Sequence, residues 1–66
     1  MSKIILSQMD YWEKLQSREL VFAGVDLKTS DTFVEDIENG ITYKVLFNID
    51  TMNYELEEVE DFAENN

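Results

Sequence analysis

The side chains that could do chemistry in this sequence are almost all carboxylates. Histidine and cysteine are absent, and the second half of the chain carries two groups of acids. One group is Glu35, Asp36 and Glu38, and the other is Glu55, Glu57, Glu58, Glu60 and Asp61. Carboxylates can transfer protons, bind hard cations or present negative charge to a partner, and each of these roles requires its own arrangement.

Catalysis is the least favoured of these roles. A serine or thiol nucleophile needs a partner base, and zinc sites need nitrogen or sulfur ligands, so the missing histidines and cysteines exclude the usual forms of both. Paired carboxylates could serve a glycosidase, but a chain of 66 residues has little room to enclose a sugar. Gly24 and Gly40, the two glycines, form no phosphate-binding loop. We therefore expect a protein that is not an enzyme and has no cofactor.

The acids between Glu55 and Asp61 also make a poor metal site. Calcium loops alternate oxygen ligands around a central glycine, and this stretch has no glycine. The plainest interpretation is a solvated edge strand, where charge deters unwanted pairing with other sheets. No bound metal is expected.

The charge is divided very unevenly along the chain. Residues 1 to 30 carry four acids and four bases, whereas residues 31 to 66 carry eleven acids and a single base, Lys44. The whole net charge of -10 therefore lies in the second part. Such a charge disfavours direct contact with nucleic acid or an anionic membrane and favours a protein partner with a basic surface.

The same acids suggest what such a partner would normally bind. Alternate residues of a strand lie about 6.6 Å apart on one face, so Glu55 and Glu57 form a row with roughly the spacing of backbone phosphates. In size and composition the chain resembles the small acidic inhibitors that phages direct against host DNA-binding enzymes. The first hypothesis is therefore a non-catalytic inhibitor or regulator, phage-encoded and DNA-mimicking, that occupies a basic surface with the eight acids named above.

The second hypothesis rests on apolar residues. Phe22, Leu46 and Val59 are predicted to point outward from the sheet, and such a face needs a partner or a second copy to cover it. The alternative function is thus a homodimer, or an accessory subunit, that binds through an apolar outer sheet face. Trp12 is predicted to be a core residue because tryptophan removes so much apolar area from water, and Tyr11 is expected to be less buried.

The elements that would position these residues predict an α+β fold, with one N-terminal helix packed on a four-stranded antiparallel meander. Residues 3 to 6 predict a short extra strand, with a helix from Ser2 as the competing interpretation. A capping box from Ser7 to Asp10 starts the helix at Gln8, and it ends near residues 17 to 18. Leu6 and Tyr11 occupy hydrophobic-staple positions, and the helical face is expected to be residues 9, 12 and 15.

Four strands follow, at residues 20–27, 32–37, 41–49 and from Tyr54 onward. Asn39-Gly40 predicts a hairpin, and a three-residue loop is preferred to a two-residue loop because it pairs Ile37 with Ile41. Across the last turn, Tyr54 and Leu56 are expected opposite residues 49 and 47.

The whole chain, 1–66, is interpreted as one small acidic domain whose last few residues are mobile. No apolar run approaches the ~20 residues of a membrane span, and the N-terminus does not form a signal-peptide core. With the missing cysteines, this predicts a cytoplasmic protein without membrane contact.

Overall fold

The computed structural model describes residues 3–59, which form one helix and five strands. In chain order these are β1 (Lys3–Leu6), α1 (Gln8–Gln16), β2 (Val21–Val25), β3 (Thr32–Asp36), β4 (Ile41–Asn48) and β5 (Asn53–Val59). All neighbouring strands are antiparallel, in the order β1-β5-β4-β3-β2. The predicted α+β architecture is confirmed, including the short N-terminal strand. The last few residues, which were predicted to be mobile, lie outside the described residues.

The helix begins where the sequence predicts. The N–H of Asp10 donates to Ser7 Oγ at 3.1 Å, and the N–H of Tyr11 donates to the Ser7 carbonyl at 2.9 Å. The Ser7 hydroxyl thus satisfies a donor that has no partner inside the helix, and the Ser7 carbonyl accepts the first helical hydrogen bond. The last helical residue is Gln16, slightly earlier than predicted, and Arg18 turns the chain with a left-handed φ of 70°. After this turn, the N–H of Leu20 donates to the Lys14 carbonyl at 3.1 Å, at the C-terminal end of the helix.

The helix turns a different face to the sheet from the one predicted. Tyr11 and Leu15 pack against the core, whereas Trp12 is 60% exposed and Met9 is 68% exposed. The predictions that Trp12 is a core residue and that Tyr11 is less buried are both wrong. Leu6 leads into the helix and packs in the core, so the staple partner Tyr11 must face inward. Trp12 lies about 100° further around the helix and is turned away.

The core is thin and lies between α1 and one side of the sheet. Its buried members are Leu6, Leu20, Val34, Tyr43 and Leu56, while no residue of α1 is fully buried. We call the side of the sheet that carries this core the helix side, and the opposite side the open side. A nine-residue helix is about 13 Å long, so it can cover only part of five strands.

The predicted three-residue loop between β3 and β4 is wrong. The structure has a four-residue loop, residues 37–40, with Asp36 opposite Ile41 and Val34 opposite Tyr43. A register change of one residue exchanges the two sides of a strand, so Val34 faces the core and Phe33 the open side. The Asp36 carboxylate favours the longer loop, because it accepts from the N–H of Asn39 at 3.2 Å and from its side-chain amide at 2.8 Å.

All three loops of the meander share one construction. In each loop one N–H donates to a carbonyl four residues earlier, from Ser30 to Asp26, from Gly40 to Asp36 and from Met52 to Asn48. Ser30, Gly40 and Met52 all have left-handed φ values, between 64° and 68°. In the last hairpin this places Phe47 opposite Tyr54 and Val45 opposite Leu56, two residues from the predicted register. A shift of two leaves the sides unchanged.

Candidate binding surfaces

The sheet divides the predicted acidic surface between its two sides. Strand pairing places Glu35, Glu55 and Glu57 on the open side, because their partners across the sheet point away from the core. Asp36 and Glu58 lie on the helix side, next to Ile41 and Tyr43 respectively. The acids that were expected to act together are therefore divided between the two sides of the sheet. Glu60 and Asp61, the remaining predicted acids, lie outside the described residues.

The open-side row is largely neutralised by its neighbours. Lys3 Nζ lies 3.2 Å from Glu55 Oε1 and 4.0 Å from Glu57 Oε2. The Asn48 amide also donates to Glu55 Oε2 at 3.0 Å. The hydrogen bond from Asn48, followed by that from Lys3, holds the pKa of Glu55 below its usual range. Lys44 lies opposite Glu57 in the sheet but forms no ion pair with it within 4.0 Å, so Lys3 and Asn48 are the contacts that reduce the free negative charge of this row.

The other acids gather where β3 turns into β4 and β5 approaches its last described residue. We call this group the acidic end, and it consists of Glu35, Asp36, Glu38 and Glu58. Antiparallel pairing brings these positions to the same edge of the molecule. Within residues 3–59, no lysine or arginine nitrogen forms an ion pair within 4.0 Å of their carboxylates.

Tyr43 reports the electrostatics of this end. Its side chain is buried, and it lies between Asp36 and Glu58 on the helix side. Burial raises the pKa of the Tyr43 hydroxyl, and the charges of Asp36 and Glu58 raise it further. Hydrogen bonds from Asn39 lower the pKa of Asp36, so this carboxylate is ionised at neutral pH. The acidic end is therefore a region of negative potential above an apolar floor.

Lys14 lies beside the acidic end, but its ammonium group is paired with Glu19 and not with a carboxylate of that end. Lys14 Nζ lies 3.0 Å from Glu19 Oε1, and this ion pair lines a depression of about 80 Å³ together with Asp36, Tyr43 and Leu56. The pair has no net charge. The net charge of the residues that line the depression is therefore negative, because of the Asp36 carboxylate.

The predicted apolar surface is also divided. Phe22 pairs with Val34 on the helix side and is 65% exposed, whereas Leu46 and Val59 lie on the open side and are only partly exposed. The three residues do not share a face of the sheet, so the prediction that they form one apolar outer face is wrong. A β-bulge between Phe22 and Gly24 shifts the alternation of β2, which a regular period of two does not anticipate.

A different apolar surface lies on the helix side, across α1 from the acidic end. Gln8 Nε2 donates to the Met52 carbonyl at 3.1 Å, so this flank of the helix faces the loop between β4 and β5. Trp12 stands one turn further along the same flank. Beneath it, Tyr11 stacks on Tyr54 with 4.2 Å between ring centroids, and Phe47 lies 5.0 Å from Tyr54.

We call this region the apolar flank. Its members are large apolar residues that are at least 45% exposed: Met9, Trp12, Phe22, Val25, Phe47 and Met52. Phe22 and Val25 lie on the helix side in the edge strand β2, where Phe22 lines a depression together with Leu15 and Arg18.

Sequence reasoning missed the apolar flank because it assigned Trp12 to the core. A signal was available in the sequence itself. The staple between Leu6 and Tyr11 fixes the rotation of the helix, and with Leu15 four residues after Tyr11 it leaves Trp12 outside. Tryptophan is usually well buried, so its size outweighed the spacing in the prediction.

Other classes of site gain no support from the described part of the chain. In residues 3–59, no three or more acidic side chains are grouped so that they could hold a metal ion. No described helix has the length and apolar character needed to cross a membrane. Comparison with models of protein families, with curated proteins and with solved structures found no match to this chain. Function is therefore inferred from the acidic end and the apolar flank.

Proposed function

We propose that this chain is a small non-catalytic binding protein, an inhibitor or regulator, whose acidic end occupies a basic surface of a partner protein. The observation that carries the proposal is the contrast between its two groups of acids. Glu55 is held by Lys3 and Asn48, whereas the carboxylates of the acidic end form no ion pair with a described lysine or arginine. Unpaired charge is the kind that steers and orients a partner of opposite sign.

The partner class follows from this charge. A surface that attracts four clustered carboxylates is rich in lysine and arginine, as are the grooves of proteins that bind nucleic acid. The chain would compete with the nucleic acid for such a groove. Binding of this kind associates quickly and weakens as salt screens the charges.

The structure changes which acids we expect to matter. The regular row of Glu55 and Glu57 was the basis for imitation of phosphate spacing, but Lys3 lies against both residues. We now assign the main role to Glu35, Asp36, Glu38 and Glu58. Mimicry is therefore a matter of charge density rather than of phosphate-like spacing.

The decisive experiment compares two fourfold variants of equal charge. The test variant carries E35Q, D36N, E38Q and E58Q, in which Asn at position 36 keeps an oxygen that can accept from Asn39. The matched control carries E13Q, D50N, E55Q and E57Q, which removes as many charges away from the acidic end. Both variants and the parent chain are used to capture proteins from a lysate at about 50 mM and about 500 mM salt.

We expect the parent and the control to retain a basic nucleic-acid-binding protein at low salt and to release it at high salt or when duplex DNA is added. The test variant should bind that protein at least about tenfold more weakly. Equal losses in the two variants would mean that only net charge matters, and a larger loss in the control would assign binding to the open side. Either result contradicts the proposed role of the acidic end.

The second function considered from the sequence, a homo-oligomeric or accessory subunit, loses the outer face on which it was based. Leu46 and Val59 are separated from Phe22 by the sheet itself. The exposure of the apolar flank nevertheless favours self-association through another set of residues, of which only Phe22 was in the predicted face.

A further inference from the structure

We propose that the apolar flank is a homodimer interface, in which a second copy of this chain packs its own apolar flank against the first. This inference is independent of the proposed function, because the apolar flank and the acidic end have no residue in common. It shares only Phe22 with the self-association predicted from the sequence, because Leu46 and Val59 lie on the open side of the sheet.

The first support is the exposed area. Trp12, Phe22 and Met9 are each at least 60% exposed, which is unusual for side chains of this size on one small domain. An aromatic side chain removes about 150–250 Å² from water when buried, so the six members of the flank leave on the order of 600 Å² accessible. A stable interface buries about 800 Å² from each partner, and the rim of the flank can supply the difference.

The second support is the thin core. No residue of α1 is fully buried, and the fully buried side chains of the described part, those less than 2% exposed, are Val34 and Leu56. A single core in a chain of this length supplies only a few kcal/mol of stability, and this sequence has no cysteine or histidine for a disulfide or a zinc site to add to it. A second copy provides the missing burial without requiring another gene product.

The third support is the distribution of charge around the flank. None of its six members is charged, and Arg18, which lines a depression with Phe22, stands at its edge. Lys14, Asp10 and Glu13 line the opposite flank of α1, together with Ser17 and Glu19. Two copies joined through the apolar flank would therefore keep their unpaired carboxylates apart and exposed. A two-fold arrangement suits the surface, because an apolar patch without charges is complementary to itself.

Sedimentation velocity of the purified full chain tests this proposal over about 1–200 µM, at low and at high salt. We expect a monomer that converts to a dimer as concentration rises, with a blue shift of the emission of Trp12, the only tryptophan. Since burial of apolar surface drives the association and the net charge opposes it, added salt should leave the dimer unchanged or strengthen it. Docking through the acidic end has the opposite salt dependence.

Trp12→Gln is the critical variant, and Ile5→Gln is its matched control. Both side chains are 60% exposed, but Ile5 lies on the open side of the sheet. Trp12→Gln should weaken the dimer at least about tenfold and keep its helical circular dichroism, whereas Ile5→Gln should dimerise like the parent. The fourfold acidic-end variant should also dimerise, and Trp12→Gln should still capture the basic partner, which separates this test from that of the proposed function.

Three results would overturn the inference. The first is a monomer at every concentration up to about 200 µM. The second is a dimer that Ile5→Gln abolishes and Trp12→Gln does not. The third is a chain that stays monomeric while Trp12 becomes shielded only in the presence of another protein, which would assign the flank to a different occupant.

Discussion

Asp36 and Glu58 of the acidic end lie on the same side of the sheet as the apolar flank, with α1 between them, whereas Glu35 lies on the open side. The helix starts beside the loop between β4 and β5 and leads through Leu20 into β2 at the acidic end, so it crosses the sheet diagonally. A short diagonal helix leaves two opposite corners of the sheet uncovered. One corner is filled with carboxylates and the other with aromatic and aliphatic side chains.

The two corners meet solvent in different ways. Carboxylates at the acidic end are well hydrated, and their presence in a monomer has no cost beyond mutual repulsion. Apolar side chains at the flank are less favourable in water than in an apolar interface. The acidic end therefore does not drive self-association, whereas the apolar flank favours association of two copies as the protein concentration rises.

The largest effect on stability is expected from the core beneath α1, which lies between the two corners. Leu56 is 1% exposed, packs in the core and lines the depression beside the acidic end. Leu56→Ala should lower the free energy of unfolding by about 3 kcal/mol, measured by urea denaturation, because it leaves a cavity in a thin core. Ile49→Ala, at a site that is 75% exposed, is the control and should change stability by less than about 0.5 kcal/mol. Similar values for both would mean that the corners do not share a core.

A smaller effect on stability is expected from the loops at the two ends of the sheet. Gly40 and Ser30 both have left-handed φ values, of 68° and 67°, but only the first is a glycine. A side chain at position 40 would meet nothing within 4 Å, so Gly40→Ala should cost about 1 kcal/mol of stability through backbone strain alone. Ser30→Gly should stabilise by about 0.5 kcal/mol, since glycine adopts this conformation without strain. Urea denaturation of the two variants checks both signs, and a stabilising Gly40→Ala would contradict the shared loop construction.

The smallest effect is a titration that reports the potential at the acidic end. Asp36→Asn combined with Glu58→Gln should lower the pKa of Tyr43, because burial stays and the two nearby charges are lost. Since folding raises this pKa, Tyr43 stabilises the protein fully below about pH 10 and loses that contribution as pH rises through the folded value. The double variant should therefore lose less stability in alkali. Alkaline titration by NMR measures the shift.

The control for this titration is Glu35→Gln with Glu57→Gln, which removes equal charge from the open side. It should leave the pKa of Tyr43 nearly unchanged, because the sheet lies between these groups and the hydroxyl. An equal shift in both variants would mean that Tyr43 senses only the net charge of the chain.

Much of the fold was predictable because it depends on local signals. Ser7 and Asp10 mark the start of α1, the alternation in β4 marks a strand, and Asn39-Gly40 marks a hairpin. The length of each loop was not predictable in this way. Loop length was decided by the bonds from Asn39 to the Asp36 carboxylate, and a prediction based on matching apolar residues across strands overlooked them.

The candidate surfaces show the same division. The residue types alone excluded the chemistry of histidine and cysteine and placed the net charge in the second part of the chain. Which acids are free was decided only in three dimensions, because Lys3 reaches Glu55 through the pairing of β1 with β5. The exposure of Trp12 was likewise decided by the rotation of α1 on the sheet, which depends on how Tyr11 and Leu15 pack. Composition thus determines how much charge and apolar area the protein has, while long-range pairing determines which of them meets solvent.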